Sequence, residues 1–90
     1  MPVIGDKPTH GVRLRLVLGR SKRAYEGAAT TPRAQWDVRA DVDEARVEVK
    51  TAAPAEIAEW IRRVVRIAAR NAAAEGMPLP RVIQRWRADT

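Results

Sequence analysis

The sequence predicts an α+β domain in which a three-stranded antiparallel sheet packs on one long helix. Two segments, residues 12–18 and 34–51, alternate between apolar and polar side chains, as strands with one buried face do. Residues 53–76 instead repeat apolar side chains at helical spacing. We predict one small basic domain over 1–90, with strands at about 12–18, 35–42 and 45–51, a helix at 54–75, a short C-terminal helix at 80–88, an extended N-terminal segment at 1–10 and a long basic loop at 19–33.

The first strand, residues 12–18, lies between Gly11 and Gly19. Its even-numbered residues are all Val or Leu, and its odd-numbered residues include Arg13 and Arg15. This alternation predicts that the valine and leucine side chains are buried, with the two arginines on the exposed face of the sheet.

Residues 34–51 predict a hairpin, because a two-residue turn at Asp43-Glu44 places the larger apolar side chains of both strands on one face. The other face then pairs acidic with basic residues, and opposite charges across two strands are stabilising. Asp-Glu is a poor sequence for such a turn, which leaves a slightly longer loop as an alternative. The predicted charge pairs are Asp41 with Arg46, Arg39 with Glu48, and Asp37 with Lys50.

The long helix at 54–75 begins with Pro54, which suits a first helical position, and ends before Gly76. At about 100° per residue its apolar side chains form one continuous arc, which we expect to cover the sheet. Charged side chains occupy the opposite arc. The apolar arc consists of Ile57, Trp60, Ile61, Val64, Val65, Ile67, Ala68 and Ala72, with Asn71 inside it.

The last predicted element is a short amphipathic helix at 80–88, beginning near Pro80. Val82, Ile83 and Trp86 form its apolar side. We therefore expect Trp86 to dock on the core of the domain.

The charge of the chain indicates its possible partners. With 17 basic and 11 acidic residues, the net charge is +6 and the pI is about 11.0, which favours nucleic acid, anionic lipid surfaces or acidic proteins. Residues 1–34 hold seven of the basic and two of the acidic side chains. The sequence has no signal peptide, no cysteine and no apolar run of about 18 residues, so it predicts a cytoplasmic protein without membrane insertion.

The sequence offers little for catalysis or metal binding. Its one histidine, His10, has no carboxylate within three residues, so neither a catalytic triad nor a metal site is predicted there. The acidic cluster of Asp41, Asp43 and Glu44 lacks the glycine-containing loop of a calcium site. No phosphate-binding glycine loop or nucleophile elbow occurs. We expect no enzyme activity, no cofactor and no metal.

The loop at 19–33 is the leading candidate binding site. It is longer than most connections in compact domains, and it carries four cations around one tyrosine. Such a loop can follow a phosphate backbone while an aromatic ring stacks on a base; the alternative is a solvated connector. The predicted nucleic-acid-binding residues are Arg13, Arg15, Arg20, Lys22, Arg23, Tyr25 and Arg33, and a second basic surface on the helix comprises Arg62, Arg63, Arg66 and Arg70.

These observations predict a small, non-enzymatic nucleic-acid-binding module. The layout of a three-stranded sheet followed by a helix is similar to that of the arm-binding domains of tyrosine recombinases, whose sheet enters the major groove of DNA, although no motif of that family occurs here. The alternative is a protein-interaction or assembly subunit, either homo-oligomeric or accessory to a larger complex with an acidic partner. It is favoured by the unpaired edges of an open sheet. The helix arginines are equally explained as the solvated side of a packed helix.

Overall fold

The computed structural model describes residues 11–43 and 46–87. Over these residues the chain is an α+β fold with an antiparallel sheet and one helix, which confirms the predicted class. The sheet has five strands where three were predicted. The predicted N-terminal segment 1–10, with His10, lies outside the described residues. The elements are β1 (Val12–Leu18), β2 (Ala24–Thr30), β3 (Gln35–Asp43), β4 (Arg46–Thr51), α1 (Ala55–Ala74) and β5 (Val82–Arg87).

The strand order across the sheet is β4-β3-β2-β1-β5, and every neighbouring pair is antiparallel. Strands β1 to β4 follow one another as a meander. Helix α1 then packs on one face, mainly against β4 and β3. The segment after α1 contacts the core on the same face, where Pro80 accepts a hydrogen bond from Tyr25, and the chain then adds β5 next to β1. Strand β1 is therefore an interior strand, and β4 and β5 are the edges.

Strand β2 lies inside the segment that was predicted as a loop at 19–33, so that prediction is wrong. Its residues are mostly small, with none of the β-branched runs that indicate a strand in a sequence. Pairing on both sides decides its structure: Tyr25 lies opposite Leu18 and Ala40, and Ala29 opposite Leu14 and Trp36. The small residues suit a strand between two others with bulkier side chains.

Gly27 marks the closest approach of β2 to β1. A methyl group built on Gly27 would overlap the carbonyl oxygen of Arg15 and lie 2.9 Å from the Cα atom of Leu16. Both are backbone atoms and cannot rotate away. Glycine inside a strand is typical of such close approaches, so the residue that weakens the strand signal in the sequence is required by the sheet.

The C-terminal segment is a strand and not the predicted helix. The backbone N–H of Leu18 donates a hydrogen bond to the carbonyl of Arg81 at 2.8 Å, and pairing continues from there along β5. The helical prediction put Val82, Ile83 and Trp86 on one side. In the strand, Ile83 is buried and the other two residues point to the opposite face. The partner strand, which is distant in sequence, decides this element.

The β3–β4 hairpin is confirmed as a pair of strands, but its predicted register is wrong by two residues. Asp43 lies opposite Arg46, and Val42 opposite Val47. A shift of two residues keeps each side chain on its predicted face, but it changes the charge pairs. Asp41 now lies opposite Glu48, and Arg39 opposite Lys50. Val42 gains Val47 as its neighbour while Val38 faces Thr51 instead of Val49, so each register has one valine pair on the core face. Exposed charge pairs contribute little and do not fix the register.

Helix α1 occupies nearly the predicted range, but one side of the predicted apolar arc faces the sheet and not its middle. Ala69, outside the predicted arc, is buried, whereas Val64 and Ala68 are only partly buried. Its buried residues are spaced four, four, four and three apart. Ile67 departs from the prediction: it lies at the margin of the arc and is 57% exposed, and Asn71 is also exposed. In residues 11–43 and 46–87, no helical stretch combines the length and the apolar character that a membrane span needs. The buried helix residues are Ile57, Ile61, Val65, Ala69 and Ala72.

Replacing Gly27 with alanine should destabilise the domain by about 3 kcal/mol, at the upper end of overpacking costs, because β1 and β2 must separate. Urea unfolding measures the effect. The matched control is Ala28→Gly at the next position, for which the ordinary cost of glycine in a strand is about 0.5–1 kcal/mol. A Gly27→Ala variant within 1 kcal/mol of the parent would contradict the close approach.

Charge reversal at β4 tests the hairpin register, because the two registers predict changes in stability of opposite sign. Glu48→Lys places a cation opposite Asp41, and Lys50→Glu places an anion opposite Arg39. Each change should stabilise the domain by about 0.2–1 kcal/mol, although the two shift the net charge in opposite directions. Urea unfolding of both variants provides the measurement. If both variants lose stability, Glu48 faces Arg39 and the register is the one the charge pattern first predicted.

Candidate nucleic-acid interface

The sheet has one face under α1 and one face turned away from it, which we call the open face. The alternation of each strand assigns the side chains: odd-numbered residues of β1 and β3, and even-numbered residues of β2, β4 and β5, lie on the open face. The opposite face holds the core, including Leu14, Leu16, Tyr25 and Ile83. The open face divides into two halves of different chemistry.

The half formed by β2, β3 and β4 is a lattice of acidic and basic side chains. Arg39 lies at its centre, 3.3 Å from a carboxylate oxygen of Glu26 and 3.2 Å from one of Asp41. Carboxylates outnumber cations, so this half repels an anionic ligand. Its acidic residues are Glu26, Asp37, Asp41, Asp43 and Glu48, and its basic residues are Arg39, Arg46 and Lys50.

The half formed by β1 and β5 carries cations and an exposed aromatic ring. Arg13 lies opposite Trp86, and Arg15 opposite Gln84; we call these four residues the arginine–tryptophan patch. On the β2 side, Arg13 lies opposite Thr30 and Arg15 opposite Ala28, so all the direct cross-strand neighbours are uncharged. Neither arginine forms an ion pair with any residue of 11–43 or 46–87.

The pairing pattern brings these side chains close together. Because Leu18 and Arg81 form a hydrogen-bonded pair, hydrogen-bonded positions recur at every second residue from there. The Arg13–Trp86 and Arg15–Gln84 pairs lie between them, where opposing side chains are closest. The pairing of β1 with β5 therefore places Arg13 beside Trp86 on the open face.

Trp86 is held against the backbone on one side and open to solvent on the other. It is 52% exposed. A Cβ atom built on Gly11 would lie 3.0 Å from the indole nitrogen of Trp86 and 2.6 Å from the carbonyl oxygen of Arg87. Glycine at this position, with φ of 137°, lets the ring lie against the start of β1. The expectation that Trp86 docks on the core is therefore wrong.

Trp86 and Gln84 belong to the arginine–tryptophan patch, and the sequence prediction did not select them. The signal that could have found them is the period-two alternation of residues 82–86, in which Val82, Gln84 and Trp86 share a face. Helical spacing explained the same apolar residues equally well, which is the usual ambiguity of a short segment.

The cations predicted in the 19–33 segment do not form one surface. Arg20, Lys22 and Arg23 lie in the β1–β2 hairpin connection, whereas Arg33 lies in the β2–β3 connection. These connections are at opposite ends of β2, whose seven residues span about 20 Å. Arg13 and Arg15 lie on the strand that adjoins β2, so the structure places them between the two groups.

Tyr25, which was predicted to stack on a base, lies in the core. It is fully buried, and its hydroxyl donates a hydrogen bond to the carbonyl oxygen of Pro80 at 2.6 Å. Burial raises the pKa of Tyr25 above its ordinary value of 10.0. The ring connects β2 to the segment between α1 and β5, and it cannot reach a surface ligand in this fold.

The helix arginines form a separate surface, on the far side of α1 from the sheet. Arg62 pairs with Glu59 at 3.1 Å, and both side chains are about half exposed. Arg63, Arg66 and Arg70 are exposed and form no ion pair with a described residue. The core and the sheet lie between this surface and the arginine–tryptophan patch, so one short ligand cannot contact both.

No group of three potential ligand residues close enough to hold a metal ion occurs within the described ranges. Of the predicted acidic cluster, Asp41 is paired with Arg39 and Asp43 ends β3, while Glu44 lies outside those ranges. Comparison with known proteins adds no assignment: no protein-family model matches the chain, and no curated protein or solved structure does.

Alkaline titration should show Tyr25 ionising above pH 10.0, because its neutral form is favoured by burial and by the bond to Pro80. Tyr25 is the only tyrosine in the chain, so the ultraviolet absorbance of the phenolate reports it directly. Tyr25 ionises at a lower pH in the unfolded chain than in the folded one. The stability that comes from its raised pKa is therefore complete below pH 10.0 and is lost as pH rises through the folded pKa.

Tyr25→Phe is the control for that titration. It should lose about 0.5–1.5 kcal/mol at neutral pH, because the hydrogen bond to Pro80 is gone. The stability difference from the parent should shrink above pH 10.0, because only the parent has a phenol that ionises there. A tyrosine that titrates at or below its ordinary pKa would contradict its burial.

Proposed function

We propose that the chain is a small, non-enzymatic nucleic-acid-binding module that contacts phosphates with Arg13 and Arg15. The observation that supports this most directly is the arginine–tryptophan patch. Two arginines project from adjacent open-face positions of one strand, with uncharged neighbours on both sides. A guanidinium without a carboxylate partner retains its donors for the paired hydrogen bonds that phosphate oxygens accept.

The uneven charge of the open face supports a defined location for the ligand. The net charge of +6 attracts polyanions from a distance. The carboxylates of the β2–β4 half disfavour an anionic backbone there, while the β1–β5 half offers cations only. A backbone running along β1 would pass Arg15 and Arg13.

The cations at the two ends of β2 would extend this path. The hairpin connection with Arg20, Lys22 and Arg23 follows the C-terminal end of β1, and Arg33 lies at the end where β1 begins. A strand of nucleic acid longer than β1 would meet one group at each end. In this proposal the end groups strengthen binding, and the arginines of β1 determine where it occurs.

A protein-interaction or assembly role is the second candidate function, and the two sheet edges favour it. Within the described residues, β4 and β5 each pair on one side only, and such edges can pair with another chain. Light scattering distinguishes the two functions. A concentration-independent monomer that binds oligonucleotides favours the first, and a stable oligomer without nucleic-acid affinity favours the second.

Replacing both Arg13 and Arg15 with alanine should weaken oligonucleotide binding about tenfold or more, because each arginine makes a charge-assisted contact. Fluorescence anisotropy with labelled single-stranded and duplex oligonucleotides measures it. The dependence of log affinity on log salt should also flatten by about 1.4 for single strands and about 1.8 for duplex, which corresponds to two lost phosphate contacts.

The matched control is the double variant Arg63→Ala and Arg66→Ala, which removes the same charge from the helix surface. It should retain most of the affinity of the parent. Equal losses in the two double variants would show that binding follows net charge alone. Absence of binding by the parent at low salt would exclude the proposed function.

A further inference from the structure

We infer that the arginine–tryptophan patch takes single-stranded nucleic acid, with one unpaired base stacked on Trp86 and phosphates on Arg13 and Arg15. This inference rests on the proposed function and specifies its ligand. It depends on three properties of the open face: its width, the exposure of Trp86 and the position of the acidic residues.

The whole open face is too wide to enter a duplex groove. Five strands at about 4.8 Å spacing form a surface about 19 Å across, whereas the major groove of B-DNA is about 12 Å wide and the minor groove about 6 Å. The two added strands therefore remove the similarity to small three-stranded modules whose sheet enters the major groove. A single strand lying on the surface meets no such limit.

Trp86 supplies a stacking surface that a duplex cannot use. Bases within a duplex are already stacked on both sides, so only an unpaired base can lie on an exposed indole. The ring is fixed beside Gly11 and directly opposite Arg13. A base on Trp86 would thus have a guanidinium beside it for the adjoining phosphate, which is the combination of aromatic and basic groups that single-strand sites use.

The acidic half confines the ligand to a narrow site along β1 and β5. Glu26 lies opposite Val17 on the strand next to β1, so carboxylates begin one strand away from the patch. A single strand of nucleic acid can follow β1 and β5 without crossing the carboxylates. The two backbones of a rigid duplex would bring phosphates close to the β2–β4 carboxylates, which repel them. Val17 and Val82, each 43% exposed, continue the patch with apolar surface that suits bases and not phosphates.

Competition binding with Trp86 variants tests the inference. The probes are labelled homothymidine and homouridine 20-mers and a mixed-sequence duplex of the same length, compared by anisotropy at several salt concentrations. The parent should bind the single strands about tenfold or more tighter than the duplex. Trp86→Ala should weaken single-strand binding about 5- to 150-fold, the range expected for loss of one stacked base.

Trp86→Phe is the matched variant, because it keeps an aromatic face at the same position, and it should recover most of the single-strand affinity. Circular dichroism of all three proteins checks that the fold is retained. Duplex binding should change little between them. Equal affinity for duplex and single strand, or a Trp86→Ala variant that binds single strands as the parent does, would overturn the inference while leaving the proposed function in place.

The same experiment distinguishes failure of the proposed function from failure of this inference. If neither 20-mer nor the duplex binds at low salt, the proposed function fails and this inference with it. Suppose instead that all probes bind, that the double variant of Arg13 and Arg15 weakens binding of each probe equally, and that Trp86→Ala has no effect. The phosphate contacts are then supported and the stacking site is excluded.

Discussion

The pairing of β1 with a strand on each side is the constraint on which the rest of the structure depends. Leu14 and Leu16 are fully buried, and both flank Arg15 in a strand whose two edges are hydrogen-bonded. Since strand side chains alternate, burying the leucines fixes the arginines on the other face. The same pairing brings β5 from the far end of the chain, and with it Trp86. The patch is therefore a consequence of how the core is built.

Exposed charge pairs do not determine the register of the β3–β4 hairpin. Asp41 lies opposite Glu48 and Arg39 opposite Lys50, although the alternative register would pair opposite charges and bury the same valines. Exposed pairs contribute only about 0–1 kcal/mol each. Arg39 compensates by binding Asp41 on its own strand and Glu26 on the next. Charge complementarity in a sequence is thus a weak guide to register, even where it is complete.

Elements with strong periodicity were predictable from the sequence, and those defined by a partner strand were not. The alternation of β1 and the helical arc of α1 are each carried by one segment, so local pattern was sufficient. Strand β2 has small residues and an internal glycine that only its neighbours explain. Strand β5 is too short to distinguish a helical from a strand pattern. For the same reason the sequence correctly placed Arg13 and Arg15 on the exposed face of β1. It assigned Tyr25 and Trp86 to the wrong environments: the tyrosine is buried and the tryptophan exposed.

The presence of β2 within the 19–33 segment changes the expected energetics of the proposed binding as well as its proposed location. A basic loop of that length would have to order its backbone on a ligand, at about 1–2 kcal/mol for each residue fixed. Arg13, Arg15 and Trp86 project from strands whose backbone is already ordered by pairing, so binding needs to restrict only side chains. In the proposed function, a small site with two cations and one ring would therefore need fewer contacts to hold its ligand than a mobile loop would.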